Sequence, residues 1–400
     1  MTQTRGRVLV ICHSNYEEDA RVRRESEALR DAGWEVDALG LREPGRAAQE
    51  VVAGIRLTRL PVEHRQGRGI GGYLAEYAQF FVRAFVAAAS MHRRRRYRLA
   101  IVHTLPDALV FATLPLRLVG VPVLLDLHEA MPVFFGSRFP GKAGVLAIGV
   151  LSLVERAAIR YASTAVTVND ALRDRLVHDG INPDRISTII NAPDVSHFER
   201  PDLAPRDFMA DGRLRLVYAG SLTPLYEVSV IVDAVASLAA GVDGPAIDVT
   251  FAIYGRGDSE VELAAQIARL GLQDRVRLHG RIPFDAIPEA IAGADLGVAP
   301  TRRDAYTDLS MSTKLFEYLA LRRPVLASRL RTVERYFGDE GIAFYTPGDS
   351  GDAASVIRRF AAEPDFRARI LTSSLERAAT LTWDQERARY LAIVDDLTAR

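Results

Sequence analysis

The chain is 400 residues long, with 51 basic and 51 acidic side chains and a formal net charge of zero. That balance excludes bulk electrostatic binding of nucleic acid. The single cysteine, Cys12, excludes an intrachain disulfide framework and a cysteine-based zinc site, and no apolar run reaches the ~18 residues of a membrane-spanning helix.

The length exceeds what one hydrophobic core usually supports, so two domains are expected. Residues 1–7 lead straight into a strand without the pattern of a secretory leader, which gives a cytoplasmic expectation. Apolar, β-branched runs predict strands at 7–12, 35–41, 55–60, 99–103, 121–127, 164–168 and 186–190 in the first half. In the second half they predict strands at 214–219, 248–254, 275–278, 297–299, 324–327 and 342–345. Helical patterns lie between most of them, so two α/β domains of doubly wound, Rossmann-like form are expected. Pro201, Pro205, Asp207 and Asp211-Gly212 interrupt the pattern and mark the break. The expected division is residues 1–195, with a final helix over 383–400 packing back onto them, and residues 196–382.

In open α/β sheets, ligands bind beyond the carboxyl ends of the strands. The first half delivers His13-Ser14-Asn15, His103-Thr104, Asp126, His128 and Glu129, Asn169-Asp170 and Asn191-Ala192-Pro193-Asp194 there. The second half delivers Gly220-Ser221, Gly255-Arg256-Gly257, Gly280-Arg281 and Pro300-Thr301-Arg302-Arg303-Asp304. Polar residues end strands in any case, because strands stop at the surface; the size of this set favours convergence on a ligand. Gly255-Arg256-Gly257 is followed by Glu260, not glycine, and no glycine follows the first strand, which argues against a nicotinamide or flavin fingerprint. Cys12, at the end of the first strand, reads as buried filler. His128 reads either as a structural histidine or as a proton carrier or ligand-hydroxyl partner. No metal site is expected, since no paired histidine face or Asp-x-Asp pair is present.

Lys142 and Lys314 are the only lysines among the 51 basic residues. Lys314 is followed three residues later by Glu317, on the same face of an expected helix, and preceded by Ser312 and Thr313 at its start. An ammonium beside free backbone amides suits an anion, and a neighbouring carboxylate suits a polyol. Together they suit a nucleotide-sugar.

Residues 73–91 form an apolar helical pattern that ends in His92 and Arg93 to Arg96. Basic residues at a helix C-terminus suit the helix dipole. The sharper reading is an interfacial segment over 73–96 that meets anionic lipid at the inner face of the membrane.

Several segments resemble a known family in order and spacing. They are 216–223 (LVYAGSLT), 253–257 (IYGRG), 277–283 (RLHGRIP), 294–300 (ADLGVAP), 313–320 (TKLFEYLA) and 323–328 (RPVLAS). Residues 19–29 (DARVRRESEAL), 126–132 (DLHEAMP) and 190–194 (INAPD) agree in the first half. The set is similar to the retaining glycosyltransferases of family 4, which have the GT-B fold of two Rossmann-like domains facing across a cleft. The resemblance implies transfer from a UDP- or GDP-sugar to a glycan, lipid-linked or small-molecule hydroxyl, with retention and without a metal or other cofactor. It implies Glu317 on the ribose, Lys314 and the Ser312-Thr313 amides on the diphosphate, and His128 near the transferred sugar. Gly220, Ser221, Gly255, Arg256, Gly257 and Arg281 complete the expected donor site. Three departures stand out: Leu309 where the family often carries an acid, Glu227 in a cation-poor loop where glycine is common, and Val133 where an acid is frequent. They leave room for a non-catalytic nucleotide-sugar-binding subunit or a GT-B sugar-nucleotide epimerase.

Overall fold

The computed structural model describes residues 5–43, 45–63, 70–138, 142–192, 195–200, 202–203 and 206–399. The opening residues 1–4 and Pro193, Asp194, Pro201 and Pro205 of the expected break lie outside the described residues.

The chain divides into two compact units, residues 1–191 with 383–400, and residues 192–382. The first holds strands β1 (Gly6–Cys12), β2 (Trp34–Leu41), β3 (Gln49–Val52), β4 (Ile55–Leu60), β5 (Leu99–His103), β6 (Val123–Leu127), β7 (Thr164–Thr167) and β8 (Ile186–Thr188). They form one sheet in the order β3-β4-β2-β1-β5-β6-β7-β8. Every pairing is parallel except β3 with β4. β3 is the one described strand the apolar pattern missed. It is short, exposed and polar at its start, and it joins β4 through Ala53 and Gly54 at φ 49° and 80°, a tight hairpin turn.

Helix Ala20–Asp31 starts at Asp19, whose carboxylate accepts from the Val22 amide, a regular N-cap. The final helix, Trp383–Ala399, buries Tyr390 and Val394 in the core that β1, β2 and β4 line. Glu386 on it accepts from the Ile190 amide at 2.8 Å, and Trp383 lies under the Arg24 guanidinium at 4.8 Å.

The second unit holds β9 (Leu214–Ala219), β10 (Val249–Tyr254), β11 (Val276–Gly280), β12 (Leu296–Ala299), β13 (Val325–Ser328) and β14 (Ala343–Tyr345). The order is β11-β10-β9-β12-β13-β14, all parallel. Strand order reverses between β9 and β12, and between β1 and β5 in the first unit. Each reversal opens a crevice at the carboxyl ends of the strands.

Candidate functional site

β9 and β12 pair through only two registered positions, Leu216 with Leu296 and Val217 with Gly297, and then part. Tyr318, on the helix Lys314–Ala320, fills the gap. Its hydroxyl accepts from the Ala219 amide at 3.3 Å and donates to the Val298 carbonyl at 3.2 Å. The ring packs so closely on Gly297 that a Cβ there would overlap it. The helix is therefore pinned in the crevice, with its first turn beside the loop that leaves β9.

That loop is interlocked with the next two. Gly220 N–H donates to the Tyr254 carbonyl at 2.9 Å, Gly255 N–H to the Gly280 carbonyl at 2.8 Å, and Leu222 N–H to the Arg256 carbonyl at 3.0 Å. A Cβ on Gly255 would overlap the Gly220 carbonyl, and one on Gly257 would overlap that of Leu222. These glycines permit contact between backbones.

Lys314 completes the cluster. Its Nζ lies 2.7 Å from the position of a Cβ built on Gly220, 4.4 Å from the ring centre of Tyr226 and 5.5 Å from that of Tyr218. Among the described residues no carboxylate forms an ion pair with it. Burial pushes its pKa down, and Glu317 opposes that only in part. Burial likewise pushes the Glu317 carboxyl up, against Lys314 and the Thr313 hydroxyl. A half-buried ammonium without a counter-ion is costly unless an anion arrives.

The predicted residues divide. Gly220, Gly255 and Lys314 come together, and Glu317 sits one helical turn beyond Lys314. Ser221 is exposed, its carbonyl accepting from the Tyr218 hydroxyl at 2.7 Å. Arg256 is exposed, its guanidinium resting over Gly280, and Arg281 is exposed as well. Of the two hydroxyl residues at the helix start, Ser312 makes the capping bond and Thr313 does not. Thr313 has helical dihedrals and makes no capping bond; its hydroxyl donates to Glu317 at 3.1 Å, while Ser312 Oγ accepts from the Lys314 amide at 3.3 Å. Thr313 thus orients Glu317. Asp308 does not stand in for the acid absent at Leu309. One of its oxygens accepts from the Arg331 amide and the other pairs with Arg303, at 3.0 and 3.1 Å. Glu227 accepts from the Gly348 amide at 2.8 Å, which ties down its loop.

The first unit carries a second cluster. Asp126, fully buried at the end of β6, accepts from Arg21 Nε and Nη2 at 2.8 and 2.9 Å. His103 Nδ1 lies 3.1 Å from the same carboxylate and 3.1 Å from His128 Nε2, which is itself 3.4 Å from Asp126. Burial alone would raise the Asp126 carboxyl, but Arg21 and then the two histidines outweigh it and hold it well below its ordinary range. The spacing of His103, Asp126 and His128 would suit a metal ion, yet Arg21 already clasps both carboxylate oxygens. His103, from the neighbouring strand, joins Asp126 and His128. Arg21 stands 105 residues from Asp126 and had no local signal as a site residue. Cys12 is buried, and burial pushes its thiol up to about 12, so it is no nucleophile.

Residues 19–192 match the family described as Glycosyl transferase 4-like domain, and residues 213–363 match Glycosyl transferases group 1. The chain belongs to the group 1 glycosyltransferases. Among curated relatives, the alpha-D-kanosaminyltransferase of Streptomyces kanamyceticus is 26% identical over 267 residues, 64% of this chain and 65% of that protein. A D-inositol 3-phosphate glycosyltransferase of Thermomonospora curvata is 25% identical over 364 residues, 86% of this chain and 81% of that protein. Among solved structures, sucrose-phosphate synthase from Thermosynechococcus elongatus aligns with a TM-score of 0.75 at 18% identity, over 99% of this chain and all of that one. HepE from Anabaena in complex with UDP-glucose aligns with a TM-score of 0.69 at 17% identity, over 98% of this chain and all of that one. These likenesses show the fold, which is GT-B: two Rossmann-like units, as the resemblance implied.

Proposed function

We propose that this glycosyltransferase takes its sugar from a UDP- or GDP-sugar and passes it, with retention and without a metal, to an acceptor hydroxyl. The observation that carries the reading is Lys314: a half-buried ammonium with no counter-ion among the described residues, beside the bare backbone of Gly220 at the reversal point of the sheet. A diphosphate supplies the missing charge, and stabilising it as it leaves lowers the barrier. Glu317, oriented by Thr313, accepts hydrogen bonds from the ribose hydroxyls. Arg256 and Arg281 remain available to the rest of the nucleotide. His128 is assigned to the transferred sugar, with Asp126 and His103 fixing its ring.

The HepE complex with UDP-glucose supports the donor class, and the inositol phosphate glycosyltransferase supports a small, hydroxyl-rich acceptor. The test is nucleoside diphosphate release from a panel of nucleotide-sugars with polyol and aminocyclitol acceptors, with the product anomer read by NMR. Turnover with retention, lost in Lys314→Ala and Glu317→Ala, supports the reading. The absence of an acid at Leu309 favours one rival, a nucleotide-sugar-binding subunit. Donor binding without release across the panel would establish that rival.

A further inference from the structure

The helix Ile70–Arg95, the segment 107–119 and the helix Lys142–Tyr161 connect β4 to β5, β5 to β6 and β6 to β7. These crossovers run across the sheet in the direction opposite to β1–β2. Right-handed connection therefore places all three on the face opposite the helix Ala20–Asp31. They form one layer, and its outer surface is unusual. On the first helix Leu74, Val82 and Val86 are 62%, 59% and 60% exposed. They share one outward face with Ala75, Ala78 and Gln79, which carries no charge until Arg93. On the third helix Val145, Leu146, Val150 and Leu153 are exposed. Between the helices Leu118 and Val119 are exposed too, Leu118 at 77%. Large exposed apolar areas on soluble proteins mark interaction sites, and these nine side chains lie on one layer of the unit.

The charges in this layer are sorted by sign. Its acidic side chains are Glu76, Asp107 and Glu155, and all three are buried. Glu76 faces His13 at 3.2 Å and Glu155 is clasped by Arg175 at 2.7 Å. Arg93, Arg94 and Arg160 are exposed, and Arg83, Arg117 and Arg156 are partly so. Arg95 is the exception in the basic run, since it pairs with Glu35 and Asp37 inside the unit. The layer therefore shows solvent an apolar centre and only positive charge. Among the described residues no helix is long and apolar enough to cross a membrane, so any lipid contact is made at the surface.

We infer that this layer docks on an anionic lipid surface. The valine and leucine side chains enter the headgroup boundary, and the arginines meet lipid phosphates. Arg93, Arg94 and Arg96 of the basic run are exposed and Arg95 alone is held inside the unit, so the arginines that meet phosphate flank the apolar face at the end of the helix. The inference is independent of the sugar-transfer reading.

The test uses the full chain and two kinds of vesicle, phosphatidylcholine alone and phosphatidylcholine mixed with phosphatidylglycerol. Co-sedimentation at low salt is expected to be at least about fivefold higher on the anionic vesicles and to weaken with added salt. Val86→Glu with Leu146→Glu should lower binding about tenfold without moving the thermal midpoint. Arg93→Gln with Arg94→Gln should remove most of the anionic preference. Should a glutamate pair disturb folding, Val86→Ser with Leu146→Ser gives the same comparison without added charge. No binding to either vesicle, or equal binding by wild type and variants, overturns the inference. So does a dimer in light scattering that the Val86 and Leu146 changes convert to monomer, since the face would then belong to a second copy of the chain.

Discussion

Lys314 places its ammonium 2.7 Å from the point where a side chain on Gly220 would begin. The two residues lie on separate elements, the loop after β9 and the first turn of the helix after β12. Their contact requires that one have no side chain. Gly220→Ala should therefore displace the Lys314 head while the sheet stays intact. The expected result is a loss of roughly tenfold in nucleoside diphosphate affinity, about 1.4 kcal/mol, together with a lower thermal midpoint, because Gly220 sits at φ 159°. Unchanged affinity would show that Lys314 does not need this position.

Glu317 and Thr313 make a separable prediction. Glu317→Ala should weaken a nucleotide more than the matching 2′,3′-dideoxynucleotide, because only the former has hydroxyls to lose. Thr313→Val should give part of the same effect, since it removes the 3.1 Å bond that orients the carboxylate. A charged hydrogen bond of this kind contributes about 1.5–3 kcal/mol. Calorimetric titration of both nucleotides checks it; equal losses for both would place Glu317 away from the ribose.

Arg21 and Asp126 form a fully buried, bidentate pair. Arg21→Met leaves the carboxylate buried without its counter-charge and should cost about 3–5 kcal/mol. Arg21→Met combined with Asp126→Leu should recover much of that. Urea denaturation provides the check. Additive losses in the double variant would contradict a pair held by mutual neutralisation.

Asp107 predicts a pH dependence. Burial first, and then Glu155, push its carboxyl up from 3.8 to about 8, against Arg175. Between those values the folded chain keeps a proton that the unfolded chain releases. Stability therefore falls as pH rises across that window, by at most ~1.4 kcal/mol per pH unit from this group. Glu25, pushed up to about 8 chiefly by its own burial, adds a slope of the same sign. Asp107→Asn should flatten the profile between about pH 5 and about pH 8. A variant with the wild-type slope would assign the effect elsewhere.

The strands were legible because buried parallel strands are apolar runs bounded by polar ends. β3 escaped because an exposed edge strand needs no apolar run. The donor-site residues were legible in part. Lys314 stood out as one of two lysines, and Gly220 and Gly255 as glycines at strand ends. What the sequence could not show is the role each side chain takes once placed. Thr313 looked like a cap and became a hydrogen-bond donor to Glu317. Arg21 carried no site signal of its own within residues 19–29 and became the partner of Asp126. Both outcomes depend on contacts between segments far apart in the chain, which no local pattern encodes. Asp308 shows the converse: it lies beside the position expected to hold an acid, yet the Arg331 amide and Arg303 take both its oxygens.

Lys314 and Glu317 are proposed to hold a nucleotide-sugar. Calorimetric titration of the full chain with UDP and with GDP tests it most directly. One of them should bind with one site per chain. Lys314→Ala and Glu317→Ala should each weaken that binding at least about tenfold. Binding of neither nucleotide, or equal affinity in wild type and both variants, would contradict it.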